Sequence, residues 1–149
     1  MPHFTLQIAA NGPLLTVYIG VSHAKRAALI AANQPVPAIQ QIQGLVDTGA
    51  SNTCADPSIL QSLGLTPTGQ ASVNTPSTGN TPHVADLYDV SVFVPGSNPT
   101  QLPLIVPNIP VLCSELLQSQ GFHALIGRDV LAQCLLSYNG TEGVFTLAY

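Results

Sequence analysis

Short runs with an apolar residue at every second position recur along this sequence, and they restrict it to strands that bury one face. Leu14–Val21 sets Leu15, Val17, Ile19 and Val21 on one side, and His83–Val94 does the same with Val84, Tyr88, Val90, Val92 and Val94. A repeat of two is the side-chain period of a pleated strand and does not fit a helix. Thr5–Ala9, Gln40–Val46 and Phe122–Ile126 read as further strands. Asn11-Gly12 predicts a hairpin joining the first two strands, and Asn139-Gly140 predicts another between Leu135–Tyr138 and Gly143–Ala148. Leu102–Val106 is a strand that Pro103 confines to an edge or an end.

Helices are expected to be few and short. His23–Asn33 is Ala-rich, with Ser22 placed as its N-cap and Pro35 and Pro37 ending it. Asp56-Pro57 opens a small helix through Leu63, with Gly64 as its stop. Val111–Gln120 reads as helical up to Gly121, and Gly127-Arg128-Asp129 opens a last helix reaching about Cys134. Thr66–Pro82 is rich in Thr, Ser, Gly, Asn and Pro and reads as a loop or hairpin tip.

A chain of 149 residues predicts one domain, 1–149, able to bury a core without disulfides. Only 7% of the residues are charged, against about 25% in ordinary soluble proteins. Two readings follow: apolar surface covered in a subunit interface, or a surface built of Ser, Thr, Asn, Gln and Pro. The net charge is −4, and Lys25, Arg26 and Arg128 are the only Lys and Arg residues. They cannot make a basic stripe, so nucleic acid is not an expected partner. No stretch reaches the ~18 apolar residues of a membrane span, and Asn11, Gly12 and Pro13 interrupt the N-terminal apolar run. The expectation is a cytoplasmic protein with no membrane partner. Cys54, Cys113 and Cys134 read as buried free thiols in a reducing compartment. His3, His23, His83 and His123 do not pair at ligand spacing, so no metal and no cofactor is expected.

Two motifs carry chemistry. Leu45-Val46-Asp47-Thr48-Gly49-Ala50-Ser51 ends a strand, and Ala124-Leu125-Ile126-Gly127-Arg128-Asp129 follows much later, opening a helix. Alone, Asp-Thr-Gly is weak, because small polar residues after a strand also make ordinary turns. Together and in this order, the two motifs resemble those of the retropepsin-like aspartic proteases, the single-domain relatives of retroviral protease. The resemblance covers roughly residues 40–149. It implies an all-β, closed retropepsin-like barrel with a few short helices that forms a two-fold homodimer.

The same resemblance implies an aspartic endopeptidase acting on extended polypeptide segments, with Asp47 of each subunit supplying half of a carboxylate pair. Peptide hydrolysis needs a base for the water and an acid for the leaving nitrogen, and two carboxylates sharing one proton supply both. Asp-Thr-Gly occurs once, so the second carboxylate is expected from another copy. Thr48 is implied to bond across the axis, Gly49 to admit substrate backbone and Ala50 to keep the loop small. Ser51 stands where retroviral enzymes often carry a second Asp, a departure at the substrate-anchoring position. Gly127 is expected to let its strand cross close under the loop, and Arg128 to be partly buried and structural, bonded to Asp129, Asp56 or the loop near Asp47. Asp129 is expected to cap the helix that follows. A flap is expected from about Val73 to Tyr88, tipped by Ser77, Thr78, Gly79 and Asn80. Residues 22–40 and 107–121 look like insertions relative to a minimal retroviral enzyme.

Rival readings are kept beside this one. The same fold could serve as a weakly active or inactive dimer that binds proteins as a scaffold. Asp-Thr-Gly could be a mere turn in a β-sandwich. Cys54 lacks a neighbouring His and reads as a small hydrophobe rather than a nucleophile. Ser51, His123 and Asp129 have the residue types of a triad, but Ser51 lacks the nucleophile-elbow motif.

Overall fold

The computed structural model describes residues 1–74, Gly79, 81–116 and 118–149. Its strands are β1 (His3–Gln7), β2 (Leu14–Val21), β3 (Gln40–Val46), β4 (Cys54–Ala55), β5 (Gly69–Val73), β6 (His83–Val94), β7 (Leu104–Cys113), β8 (Ala124–Ile126), β9 (Leu135–Asn139) and β10 (Val144–Ala148). Three short helices join them: α1 (His23–Ala31), α2 (Pro57–Ser62) and α3 (Arg128–Leu131). The larger sheet runs β2-β3-β8-β4-β7-β6-β5, and a further pairing of β2 with β6 closes the first six into a barrel. A separate three-stranded sheet, β1-β10-β9, gathers the two chain ends. This is the mostly-β closed barrel with short helices that the resemblance implies.

The barrel closes because its longest strand serves several neighbours. β6 pairs with β5 through His83–Leu87, with β7 through Leu87–Val94, and with β2 through Val90–Phe93. Its interior side chains Val90, Val92 and Val94 meet Val17, Ile19, Val111 and Ile126, all fully buried. Burying each such aliphatic side chain contributes about 1.5–3 kcal/mol. Val84 does not continue this face: it is 55% exposed, and Ala85 is buried instead. That part of β6 lies in the hairpin with β5.

Local chemistry sets the helix ends. Ser22 accepts the Lys25 N–H and starts α1, as expected. Asp56 accepts the Ser58 N–H with Pro57 as the first helical residue of α2, and Gly64 ends it at φ +62°. No residue of α1 is buried.

Several expectations are corrected. The Asn11-Gly12 turn forms, with mutual backbone bonds between Ala9 and Gly12, but it joins two different sheets. Pro13 has no N–H to extend a ladder, and β1 pairs with β10 instead. The final hairpin turns through a longer loop, with Gly143 at φ +67° and Glu142 N–H bonded to the Asn139 side chain. Val111–Gln120 is not a helix. Val111–Cys113 completes β7, and only Gln118–Gln120 makes a single 3-10 turn.

β7 also runs through Pro107 and Pro110, so 107–113 is barrel strand and not insertion. Pro107 falls where the β6–β7 register shifts between Val90 and Val92, and β4 pairs only with Leu112 and Cys113. Both prolines therefore sit where the ladder is interrupted or one-sided. Within Thr66–Pro82, Gly69–Val73 forms β5, so the hairpin arms reach back to Gly69. Of the expected tip, Ser77, Thr78 and Asn80 lie outside the described residues, and Gly79 is exposed.

Candidate active site

β3 and β8 run parallel in register, Gly44 with Ala124, Leu45 with Leu125 and Val46 with Ile126. Parallel neighbours deliver their C-terminal ends to the same rim. The loop 47–51 after β3 and the Gly127-Arg128-Asp129 corner after β8 therefore meet there, though far apart in sequence. Asp47 N–H donates to Ile126 O at 3.0 Å, and Arg128 N–H donates to Ala50 O at 3.0 Å.

Asp47 is half-buried. Its Oδ1 accepts the Gly49 N–H at 2.8 Å and the Ala50 N–H at 3.3 Å. An added Cβ at Gly49 would stand 3.1 Å from that same oxygen, tight against the carboxylate. Thr48 and Ser51 are exposed and Ala50 is half-buried.

Gly127 marks the closest approach between the two motifs. A Cβ there would lie 2.6 Å from the carbonyl carbon of Asn52 and 2.9 Å from Thr53 N, both backbone atoms. Arg128 is exposed, not partly buried. Of the partners expected for it, the loop near Asp47 supplies them all. Nη1 donates to Thr48 O at 2.9 Å and Gly49 O at 3.2 Å, and Nη2 donates to Ser51 Oγ at 2.7 Å.

Asp129 is not the cap expected of it, because it lies inside the first turn of α3. The N-cap of α3 is Gly127. The Asp129 carboxylate accepts the Val130 N–H, and it also accepts the Thr53 N–H at 2.9 Å and the Thr53 hydroxyl at 2.7 Å. Thr53 Oγ1 in turn accepts the Gly127 N–H at 3.1 Å. Thr53 is fully buried, and the sequence reading missed it. Its one signal was a polar residue at the mouth of the small apolar strand Cys54–Ala55.

Cys54 follows directly. Burial, then the negative charges of Asp129 and Asp47, push its thiol up to about 11. Such a thiol is protonated at neutral pH and makes a poor nucleophile. All three cysteines are free and half-buried rather than fully buried. Ser51, His123 and Asp129 do not form a triad. Ser51 bonds Arg128, Asp129 bonds Thr53, and the buried Nδ1 of His123 has no partner among the described residues.

Among the described residues, no group of three or more His, Cys, Asp or Glu is placed to hold a metal ion. Nor is any described helix long and apolar enough to cross a membrane. One concavity lies between β1, β2 and the 95–97 turn, and another surrounds Phe93 and Pro103. Neither is lined by a residue of the 47–51 loop.

A closed β-barrel whose parallel strand ends bring an Asp-Thr-Gly loop onto a Gly-Arg-Asp corner is the retropepsin-like arrangement. Residues 30–136 match the family model described as aspartyl protease, and the chain belongs to that family. It is thus a retropepsin-like aspartic protease, a hydrolase of peptide bonds. Among solved structures it is similar to a retropepsin-like aspartic protease from Rickettsia conorii, at 18% identity and a TM-score of 0.60. That likeness is one of fold, and it covers 99% of this chain and 90% of the other. No curated protein matches the sequence.

Proposed function

We propose that the chain is an endopeptidase completed by a second copy of itself, with the Asp47 carboxylates of the two subunits facing each other as the catalytic pair. The observation that carries this reading is the placement of a single Asp-Thr-Gly carboxylate at the rim of the barrel, with only Oδ1 taken up by its own loop. The other oxygen has no hydrogen-bond partner among the described residues, which leaves it to a water and a second carboxylate. Like charges at such a distance do not both ionise, so the pair carries one proton. The ionised member draws a proton from the water as it attacks the peptide carbonyl, and the protonated member donates to the leaving nitrogen.

The remaining roles follow the same geometry. Thr48, exposed beside Asp47, bonds across the two-fold axis. Gly49 and Ala50 orient the carboxylate and leave room for extended substrate backbone. Gly127, Arg128 and Asp129 fix the loop in place through Ala50, Thr48, Gly49, Ser51 and Thr53. The β5–β6 hairpin is the flap, with residues 77–80 at its tip, closing over bound peptide.

Among the described residues no strand pairs with the outer edges of the sheet β1-β10-β9, and Leu135 and Tyr138 are 57% and 60% exposed on β9. Free edges carrying apolar side chains support these terminal strands as the dimer interface. One continuous cluster of buried side chains links Phe4, Val17, Val90 and Phe145, which supports reading 1–149 as a single domain.

The test is cleavage of an unstructured protein at mildly acidic pH. Wild type cleaves and Asp47→Asn does not, while both sediment as dimers. Absence of wild-type cleavage across the acidic and neutral range favours the scaffold reading instead.

A further inference from the structure

We infer that Arg128 forms an anion-binding subsite beside the Asp47 loop, so that the enzyme prefers peptides with a Glu or Asp side chain flanking the scissile bond. This rests on the reading of Asp47 as the catalytic carboxylate and adds a substrate class to it.

The Arg128 side chain is held and accessible at once. Its backbone N–H is bonded to Ala50 O, and its guanidinium is bonded to the loop at Thr48 O, Gly49 O and Ser51 Oγ. The residue is nonetheless exposed. All three of these acceptors are neutral. A guanidinium offers five N–H donors, so these bonds leave two of them, and the whole positive charge, uncompensated among the described residues.

The carboxylates of the two motifs make their bonds to other groups. Asp129 takes the Thr53 N–H and hydroxyl, and Asp47 Oδ1 takes the Gly49 and Ala50 N–H groups. Lys25 and Arg26 both lie on α1, so Arg128 is the one Lys or Arg in the two motifs. A pinned, planar fork with spare donors fits a carboxylate, which accepts in the same plane and supplies the missing charge. The surrounding net charge of −4 disfavours acidic peptides at long range. Any preference for them must therefore be local and must disappear with Arg128.

The test uses pairs of otherwise uncharged extended peptides, identical except for Glu or Gln at successive positions. Their binding to the Asp47→Asn protein is measured by calorimetry and by the NMR shift of the Arg128 Nε–H. At one position the Glu member binds about fivefold tighter than its Gln twin and moves the Nε–H signal. In the Asp47→Asn/Arg128→Gln double variant the two members bind alike, and Arg128→Lys keeps part of the difference. The preference in the parent protein also shrinks as salt rises, a readout that needs no Arg128 variant to fold. Equal binding of every pair, a preference that survives Arg128→Gln, or one indifferent to salt overturns the inference. Cleavage is scored separately on wild type. If nothing is cleaved while Glu-selective binding persists, the protease reading fails and the subsite stands.

Discussion

The hydroxyl of Thr53 donates to the Asp129 carboxylate at 2.7 Å while accepting the Gly127 N–H at 3.1 Å. That one buried oxygen ties the strand leaving the Asp47 loop to the corner that holds the loop. Thr53→Val keeps the shape and removes the oxygen, leaving the buried Gly127 N–H without its acceptor and the Asp129 carboxylate with only the Thr53 and Val130 N–H groups. The expected cost is about 1–3 kcal/mol of folding stability, read from urea unfolding. A change within a few tenths of a kcal/mol would show that the network is not needed.

Gly127 and Gly69 make a matched pair for substitution by alanine. A Cβ at Gly127 meets Asn52 backbone at 2.6 Å, whereas one at Gly69 has its nearest neighbour, Leu87 Cδ1, at 3.8 Å. Gly127→Ala should cost about 1–3 kcal/mol by forcing backbone apart. Gly69→Ala should fall within about 0.5 kcal/mol of wild type. Thermal melts of the two variants side by side check the ordering.

Acid stability should depend on Asp56. Burial works to raise its pKa but is outweighed by bonds from the Ser58 hydroxyl and N–H and the Leu116 N–H, so the folded value lies below the ordinary one. A depressed carboxyl stabilises the fold above its unfolded pKa of about 3.9 and loses that contribution as pH falls through the folded value. Asp56→Asn should therefore be less stable than wild type at neutral pH, and the two should converge at the acid end. A stability difference that does not change with pH would contradict the assignment.

Cys54 should be slow to react in the folded protein. With its thiol pushed up to about 11 by burial, Asp129 and Asp47, little thiolate exists at neutral pH. Alkylation followed by mass spectrometry should label Cys54 rapidly in denaturant and slowly in buffer. Rapid native labelling would contradict this placement.

The fold was legible where burial is one-sided. Leu14–Val21 and Gln40–Val46 matched their strands to the residue, because alternation reports a face packed on a core. Ser22 and Asp56 were readable because capping is local chemistry. β5 was missed because Gly69–Val73 fully buries no residue and is held by backbone pairing and the Gln70–Asp86 side-chain bond. β7 was cut short because Pro107 and Pro110 argue against a central strand unless the bulge opposite and the open edge are known.

In the site, the meeting of the Asp47 loop with the Gly127 corner followed from the order of two motifs. Loop carbonyls were among the partners foreseen for Arg128. The Thr53–Asp129 bond was not foreseen, since nothing local links residues so far apart. Asp129 looked like a cap because only its neighbours in the chain were visible.

The reading turns on two copies of Asp47 acting as one site, and subunit mixing tests it most directly. Wild type and Asp47→Asn are combined at equal amounts, allowed to exchange subunits, and assayed for peptide cleavage against wild type alone at the same total concentration. If both carboxylates are required, activity follows the square of the wild-type fraction and falls to about one quarter. A fall to about one half would mean that each chain works with its own Asp47 alone, and would contradict the account.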